Sequence, residues 1–270
     1  MTSYRYPNEQ LILALTLFLV FVVIAVTAAA TFCGSFLFVL VMLVISFLLN
    51  RSHHSALIQE AQPVTDQSAP KLASITQSCA ARLQAGPFSA FIAPGNTLNA
   101  YTFGLGEALV VVVYAGVLRI MDEDELRFII GHELGHVSLG HTWLNSLVGG
   151  MSGIPSPYFA AILLYFAFRW WNRACEYSAD RAGLLACGKP EKAASALVKL
   201  AGGASAIRSL EGWQQALRHI EAEDDHLEGS LQELLSSHPM IIRRLQALNQ
   251  YAASAEYQHL QAHVNRTTPI

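Results

Sequence analysis

Charge is what this sequence has least of. Its 270 residues include 17 Lys and Arg and 20 Asp and Glu, 14% charged against 53% apolar. None of these charges falls between Leu11 and Leu49. A stretch of that length without charge is incompatible with a solvated surface segment and belongs in lipid. The net formal charge of −3, with no basic block, removes the electrostatic footprint that a nucleic-acid partner requires. Cysteine is also scarce. Cys33, Cys79, Cys175 and Cys187 are widely spaced and form no C-x-x-C pair, which excludes a disulfide scaffold and a thiolate zinc knuckle and suits reduced thiols.

One continuous helix over Leu11 to Leu49 would run to about 58 Å, nearly twice a hydrocarbon core of about 30 Å. Two spans fit better, near Leu11 to Ala29 and Phe32 to Leu49, with a turn around Thr31 to Ser35. A cleaved signal peptide ending at Ala28 to Ala30 is the alternative, but it would leave a second apolar segment at the new N-terminus. Arg5 precedes the hairpin, Arg51 and Lys71 follow it, and the turn has no Lys or Arg, so both ends are expected on the cytoplasmic side. The expected organisation is a transmembrane hairpin over 1–50, a juxtamembrane linker over 51–70 and a catalytic domain over 71–270.

Past the linker, the pattern predicts a helix near Lys71 to Gln84. Short strands follow at Phe88 to Ala93, Ala100 to Gly104 and Ala108 to Tyr114, forming a small antiparallel sheet. A helix from Asp122 to about Leu147 opens on a capping box, Asp122 with Glu125. The uncharged run Trp143 to Phe168 is broken by Gly149, Gly150, Gly153, Pro155 and Pro157. It reads as a loop followed by a helix from about Tyr158 through Ala186, whose aromatics Tyr165, Trp170 and Trp171 are candidates for the membrane surface.

The chemistry concentrates in His132, Glu133, Leu134, Gly135 and His136, which spell H-E-x-x-H. On a helix the i, i+4 spacing turns both imidazoles to one side, where they can share a Zn²⁺, and Glu133 adjoins that face as a general base. A catalytic zinc needs a third protein ligand and an open fourth position. His141 is one residue out of register with the H-E-x-x-H-x-x-G-x-x-H pattern, which would need its histidine at Thr142 and its glycine at Leu139. Glu176 is the stronger candidate, with Asp180 one helical turn later, placed to accept the outer N–H of a ligand histidine. The small residues Ala174, Ala179, Ala182 and Gly183 around this pair suit close packing against another helix.

With these motifs in order, the chain resembles the HtpX-like family of membrane-anchored zinc metallopeptidases, which are gluzincins. The likeness runs from the N-terminal hairpin through Asn99, Ala100 and Tyr101, the His132 motif, and Glu176 to Asp180 with Arg181, Ala182 and Gly183. It then reaches His238, Pro239 and Arg244. The run between the two ligand motifs is shorter and more broken than is usual in that family. The resemblance implies that the Asn99 to Tyr101 segment is an edge strand along which an extended peptide binds by strand addition. It further implies that His238 stabilises the oxyanion and that Arg244 supports the site or contacts substrate.

The resulting expectation is an α+β, mainly helical zincin-type metalloprotease domain behind a two-helix transmembrane hairpin, with one catalytic Zn²⁺, polypeptide substrates, and a bilayer as its second partner. Such a protein would cleave internal peptide bonds of membrane or misfolded proteins at the cytoplasmic face of a bacterial inner membrane. The competing reading from another class is a proteolytically inactive zinc-binding scaffold or chaperone.

Overall fold

A computed structural model describes residues 4–30, 34–104, 109–148, 159–202 and 241–268. Two helices come first, α1 (Glu9–Ala30) and α2 (Gly34–Glu60), and they pack on each other. The large apolar side chains of α1 face outward: Phe18 is 64% and Phe21 69% exposed. A helix of a soluble core would bury that face. Among the described residues, one helix, over Glu9–Ala29, is long and apolar enough to cross a membrane. Of the turn expected around Thr31 to Ser35, residues 31–33 lie outside the described residues, and Gly34 and Ser35 already belong to α2. Helix α2 continues well into the stretch read as a linker, to Glu60.

Four strands follow: β1 (Gln62–Pro63), β2 (Ser89–Ala93), β3 (Ala100–Phe103) and β4 (Val110–Tyr114). Helix α3 (Pro70–Leu83) lies between β1 and β2 and ends where Gln84 turns left-handed. The sheet order is β1-β2-β4-β3. The expected antiparallel sheet is in fact mixed, because β4 inserts between β2 and β3 and runs parallel to β2. The β3–β4 hairpin itself is antiparallel, with Tyr101 opposite Val112. Local patterning identified the strands, but only their insertion order decides which neighbours are parallel. Ala100, within the segment expected to bind peptide, opens the outer strand β3, and the Asn99 carbonyl accepts from the Tyr114 N–H.

Among the described residues, helices α4 (Ala115–Ile120), α5 (Glu123–Ser138), α6 (His141–Val148), α7 (Phe159–Cys187), α8 (Pro190–Gly202), α9 (Ile241–Ala253) and α10 (Ala255–Thr267) follow. The capping box opens α5 as expected: the Asp122 carboxylate accepts from the Glu125 N–H at 3.0 Å, and Glu125 accepts from the Asp122 N–H at 2.8 Å. The single helix expected over Asp122 to Leu147 is two, broken at Gly140, whose φ of 77° no L-residue adopts readily.

The core is built around the crossing of α5 and α7. A Cβ on Gly131 would lie 2.4 Å from the Ala186 Cβ, and one on Gly135 would lie 2.6 Å from the Ala182 Cβ. The two backbones therefore approach more closely than any side chain would permit, and this contact sets the distance between the ligands on α5 and those on α7. Leu126, Ile129, Ile130, Leu134 and Val137 are buried, as their periodicity predicted. Helix α7 also runs antiparallel to α1: the Tyr6 N–H donates to the Ser178 hydroxyl at 2.7 Å, and the Thr16 hydroxyl to the Ala167 carbonyl at 3.2 Å. Trp170 is exposed, but Trp171 is buried between α1 and α6 with Ile12 and Leu144, so only the first of that aromatic pair is available to a membrane surface.

Candidate metal centre

Helix α5 turns His132 and His136 to one side, and α7 brings Glu176 against them. His132 Nε2 lies 3.3 Å from His136 Nε2 and 3.7 Å from Glu176 Oε2, and His136 Nε2 lies 3.5 Å from Glu176 Oε1. Zinc held tetrahedrally at about 2.0–2.1 Å sets its ligand atoms about 3.3 Å apart, so this triangle of two imidazoles and a carboxylate fits a zinc ion. One ligand atom from each of the three lies within 4.8 Å of the other two. Glu133 is buried on the same helix, and that burial pushes its carboxyl above the ordinary range despite the nearby histidines.

Behind the triangle, Asp180 Oδ1 lies 3.0 Å from His132 Nδ1, the nitrogen directed away from the ligand cluster. Arg244, on α9, donates to both oxygens of Asp180, from Nε at 2.8 Å and from Nη2 at 2.6 Å. Its Nη1 stands 2.9 Å from Glu176 Oε2. Burial alone would raise both carboxyls. The guanidinium and the histidines outweigh it, holding Asp180 below and Glu176 well below the usual carboxylate range. Burial likewise opposes charge on His132, but its bond to Asp180 and the nearby Glu176 raise it overall.

The structure therefore brings together His132, His136, Glu133, Glu176, Asp180 and Arg244. Beside them, β3 packs against α5 and α6, with the Thr102 hydroxyl 3.3 Å from that of Thr142. The Tyr101 ring stacks near Phe103 and Tyr114. His238 lies outside the described residues.

His141 is not in the ligand triangle, as its register implied. It has a different place: its Nδ1 lies 3.0 Å from His136 Nδ1, and its Nε2 lies 3.0 Å from Glu9 Oε1. Burial drives His141 down to about 4 against the pull of Glu9, so the ring is neutral near pH 7. Sequence reasoning missed Glu9 altogether, although an acidic residue at the mouth of a charge-free helix was the one signal available.

The model of peptidase family M48 matches residues 66–252, more than half of the chain. A protease HtpX homologue of Moorella thermoacetica is 28% identical over 95% of this chain and 96% of its own. Plastoglobule-localized metallopeptidase 48 of Arabidopsis thaliana is 29% identical over 64% of this chain and 54% of its own, so the chain spans about half of that relative. Among solved structures, Ste24p of S. mikatae matches with a TM-score of 0.48 at 17% identity, covering 90% of this chain and 65% of that one. Two histidines and a glutamate at zinc spacing, on helices that the M48 model spans, lead to one conclusion: the chain belongs to peptidase family M48, among its HtpX-like members.

Proposed function

We propose that this chain is a membrane-anchored, zinc-dependent metalloendopeptidase that hydrolyses internal bonds of membrane or misfolded proteins at the cytoplasmic face of a bacterial inner membrane. The observation that carries the reading is the ligand triangle of His132, His136 and Glu176, whose edges of 3.3, 3.5 and 3.7 Å match a tetrahedral zinc site.

His132, His136 and Glu176 would hold the zinc, which when bound would supply a Lewis acid for the scissile carbonyl and for the attacking water. Glu133 accepts the proton of that water and hands it to the leaving amine. Its place on α5 beside both ligand histidines, inside the protein, sets it next to that water. Asp180 holds the outer nitrogen of His132, and Arg244 holds Asp180 and Glu176 in place. An extended peptide adds to the outer strand β3 at Asn99, Ala100 and Tyr101, with its backbone laid beside α5. His238 is assigned to the oxyanion by the family resemblance.

The exposed apolar face of α1 supports a membrane anchor, and the exposed Leu37, Leu40, Val44 and Leu48 of α2 favour reading that helix as its second span. Because Glu9 opens α1 and lies within reach of the ligand cluster through His141, the reaction would take place close to where the anchor enters lipid.

Replacing Glu133 by Gln tests the reading. Cleavage of an unfolded protein by the detergent-purified full chain should fall by about 10²–10⁴-fold while zinc stays bound. Undiminished cleavage would overturn the mechanism. Wild-type protein that binds zinc yet cleaves nothing, with or without chelator and added zinc, would favour the scaffold instead.

A further inference from the structure

The bonds around His136 form a continuous chain that the proposed chemistry does not use. His136 Nδ1 faces His141 Nδ1 at 3.0 Å, His141 Nε2 faces Glu9 Oε1 at 3.0 Å, and Glu9 is held by Arg5 and by the Ser178 hydroxyl. Every member from His136 to Glu9 is buried. Arg5 also donates to the Leu139 carbonyl at 3.0 Å, tying the same corner to the turn between α5 and α6.

The protons in this chain can be assigned only one way once a metal is held. Nε2 of His136 faces His132 and Glu176, so it must be bare to serve as a ligand. A neutral imidazole then carries its proton on Nδ1, which donates to His141 Nδ1. His141 accepts there, so its own proton is on Nε2 and is donated to Glu9, whose charge is met by Arg5. A ligand histidine ordinarily passes its outer N–H straight to a carboxylate, as His132 does with Asp180. Here a second histidine stands between.

We infer that Glu9 and His141 are positioning residues for the zinc ligand His136, so that the first turn of the membrane helix forms part of the metal site. The inference rests on the zinc reading above. The anchor is then more than a tether, since drawing α1 away would leave His141 without its acceptor Glu9 and loosen the hold of His141 on His136.

One other use of the same groups must be weighed. Glu9, His141 and Cys175 are themselves near enough to hold a metal, with ligand atoms within 4.8 Å of one another. Both Glu9 oxygens, however, already serve Arg5, His141 and Ser178, and His141 Nε2 is engaged with Glu9. The relay accounts for these contacts without a second ion.

The test measures zinc affinity of the full chain in detergent by competition with a chromophoric chelator, for Glu9→Ala, His141→Phe and the double variant. Each single change should weaken zinc by about 10–100-fold, and the double should be no weaker than the worse single, because either change breaks the same relay. Ile12→Ala, which trims the packing of α1 near Trp171 without touching the polar chain, should leave zinc affinity unchanged. Unaltered affinity in a folded Glu9→Ala protein would overturn the inference. So would strictly additive losses, or an equal loss in Ile12→Ala. Two zinc equivalents in the wild type falling to one in Cys175→Ser would overturn it in favour of the second ion. Should Glu9→Ala fail to fold, nitrogen NMR of imidazole-labelled wild type decides: a proton on Nε2 of His141 supports the relay, and one on Nδ1 refutes it. Wild-type protein that takes up no zinc would refute the metal reading itself.

Discussion

The two candidate histidine ligands, His132 and His136, are equivalent in chemistry and unlike in support. His132 leans directly on Asp180, which Arg244 grips from α9, so its whole backing lies on α7 and α9. His136 leans on His141 and, beyond it, on Glu9 at the start of the apolar helix α1. One ligand is steadied by a short, doubly charged clamp. The other depends on a longer chain that reaches a different part of the molecule. A symmetric motif is thus held asymmetrically, one histidine from α7 and α9 and the other from α6 and the first turn of α1.

The largest expected effect falls on the first side. Arg244→Met keeps the volume but leaves the buried carboxylate of Asp180 and the partly buried one of Glu176 without their counter-charge, which should cost about 3–5 kcal/mol. Thermal unfolding of the metal-free chain in detergent would register it, and a loss below about 1 kcal/mol would remove Arg244 as the clamp. Asp180→Asn should come next, with zinc affinity reduced about 10–100-fold and stability less affected. Its loss should be at least as great as that of Glu9→Ala, because its contact with the ligand is direct. A smaller loss would reverse the order of the two supports.

The smallest effect lies outside both. Asp122→Ala removes the cap of α5 and should cost about 1 kcal/mol while leaving zinc affinity as it was. Burial raises the Asp122 carboxyl, but the Lys192 ammonium and the Glu125 N–H outweigh it, so its value is lowered on folding. A depressed acid stabilises above its unfolded value, so this contribution is present at neutral pH and disappears as pH drops through the folded value. The gap between wild type and Asp122→Ala should accordingly close in acid, as unfolding measured across pH 2 to 7 would show.

These two sides also differ in how far the sequence disclosed them. Helical spacing puts His132 and His136 on one face, and the acidic pair Glu176 and Asp180 follows the same logic on α7, where Ala179, Ala182 and Gly183 signalled the close crossing. These are regularities within a few residues. The support of His136 joins Glu9 to His141 across most of the chain and depends on a break in the helix, so no periodicity could reveal it. The sheet failed for a related reason: its strands were legible, but the placement of β4 between β2 and β3 is a choice among long-range pairings. Trp170 and Trp171 look alike in sequence, and only the arrival of α1 makes one core and the other surface.

Gly140 converts this geometry into a matter of counting. On an unbroken helix a residue five places after His136 would point about 140° away from it. The left-handed turn at Gly140 brings His141 back until the two Nδ1 atoms are 3.0 Å apart. What matters over this stretch is therefore the number of residues as much as their kind. A single insertion or deletion between Val137 and Gly140 would rotate His141 out of reach while leaving the H-E-x-x-H motif intact. Descendants of such an event would keep the recognisable signature and lose one of its two supports, so the length of that turn is a criterion for sorting relatives that the motif alone cannot separate.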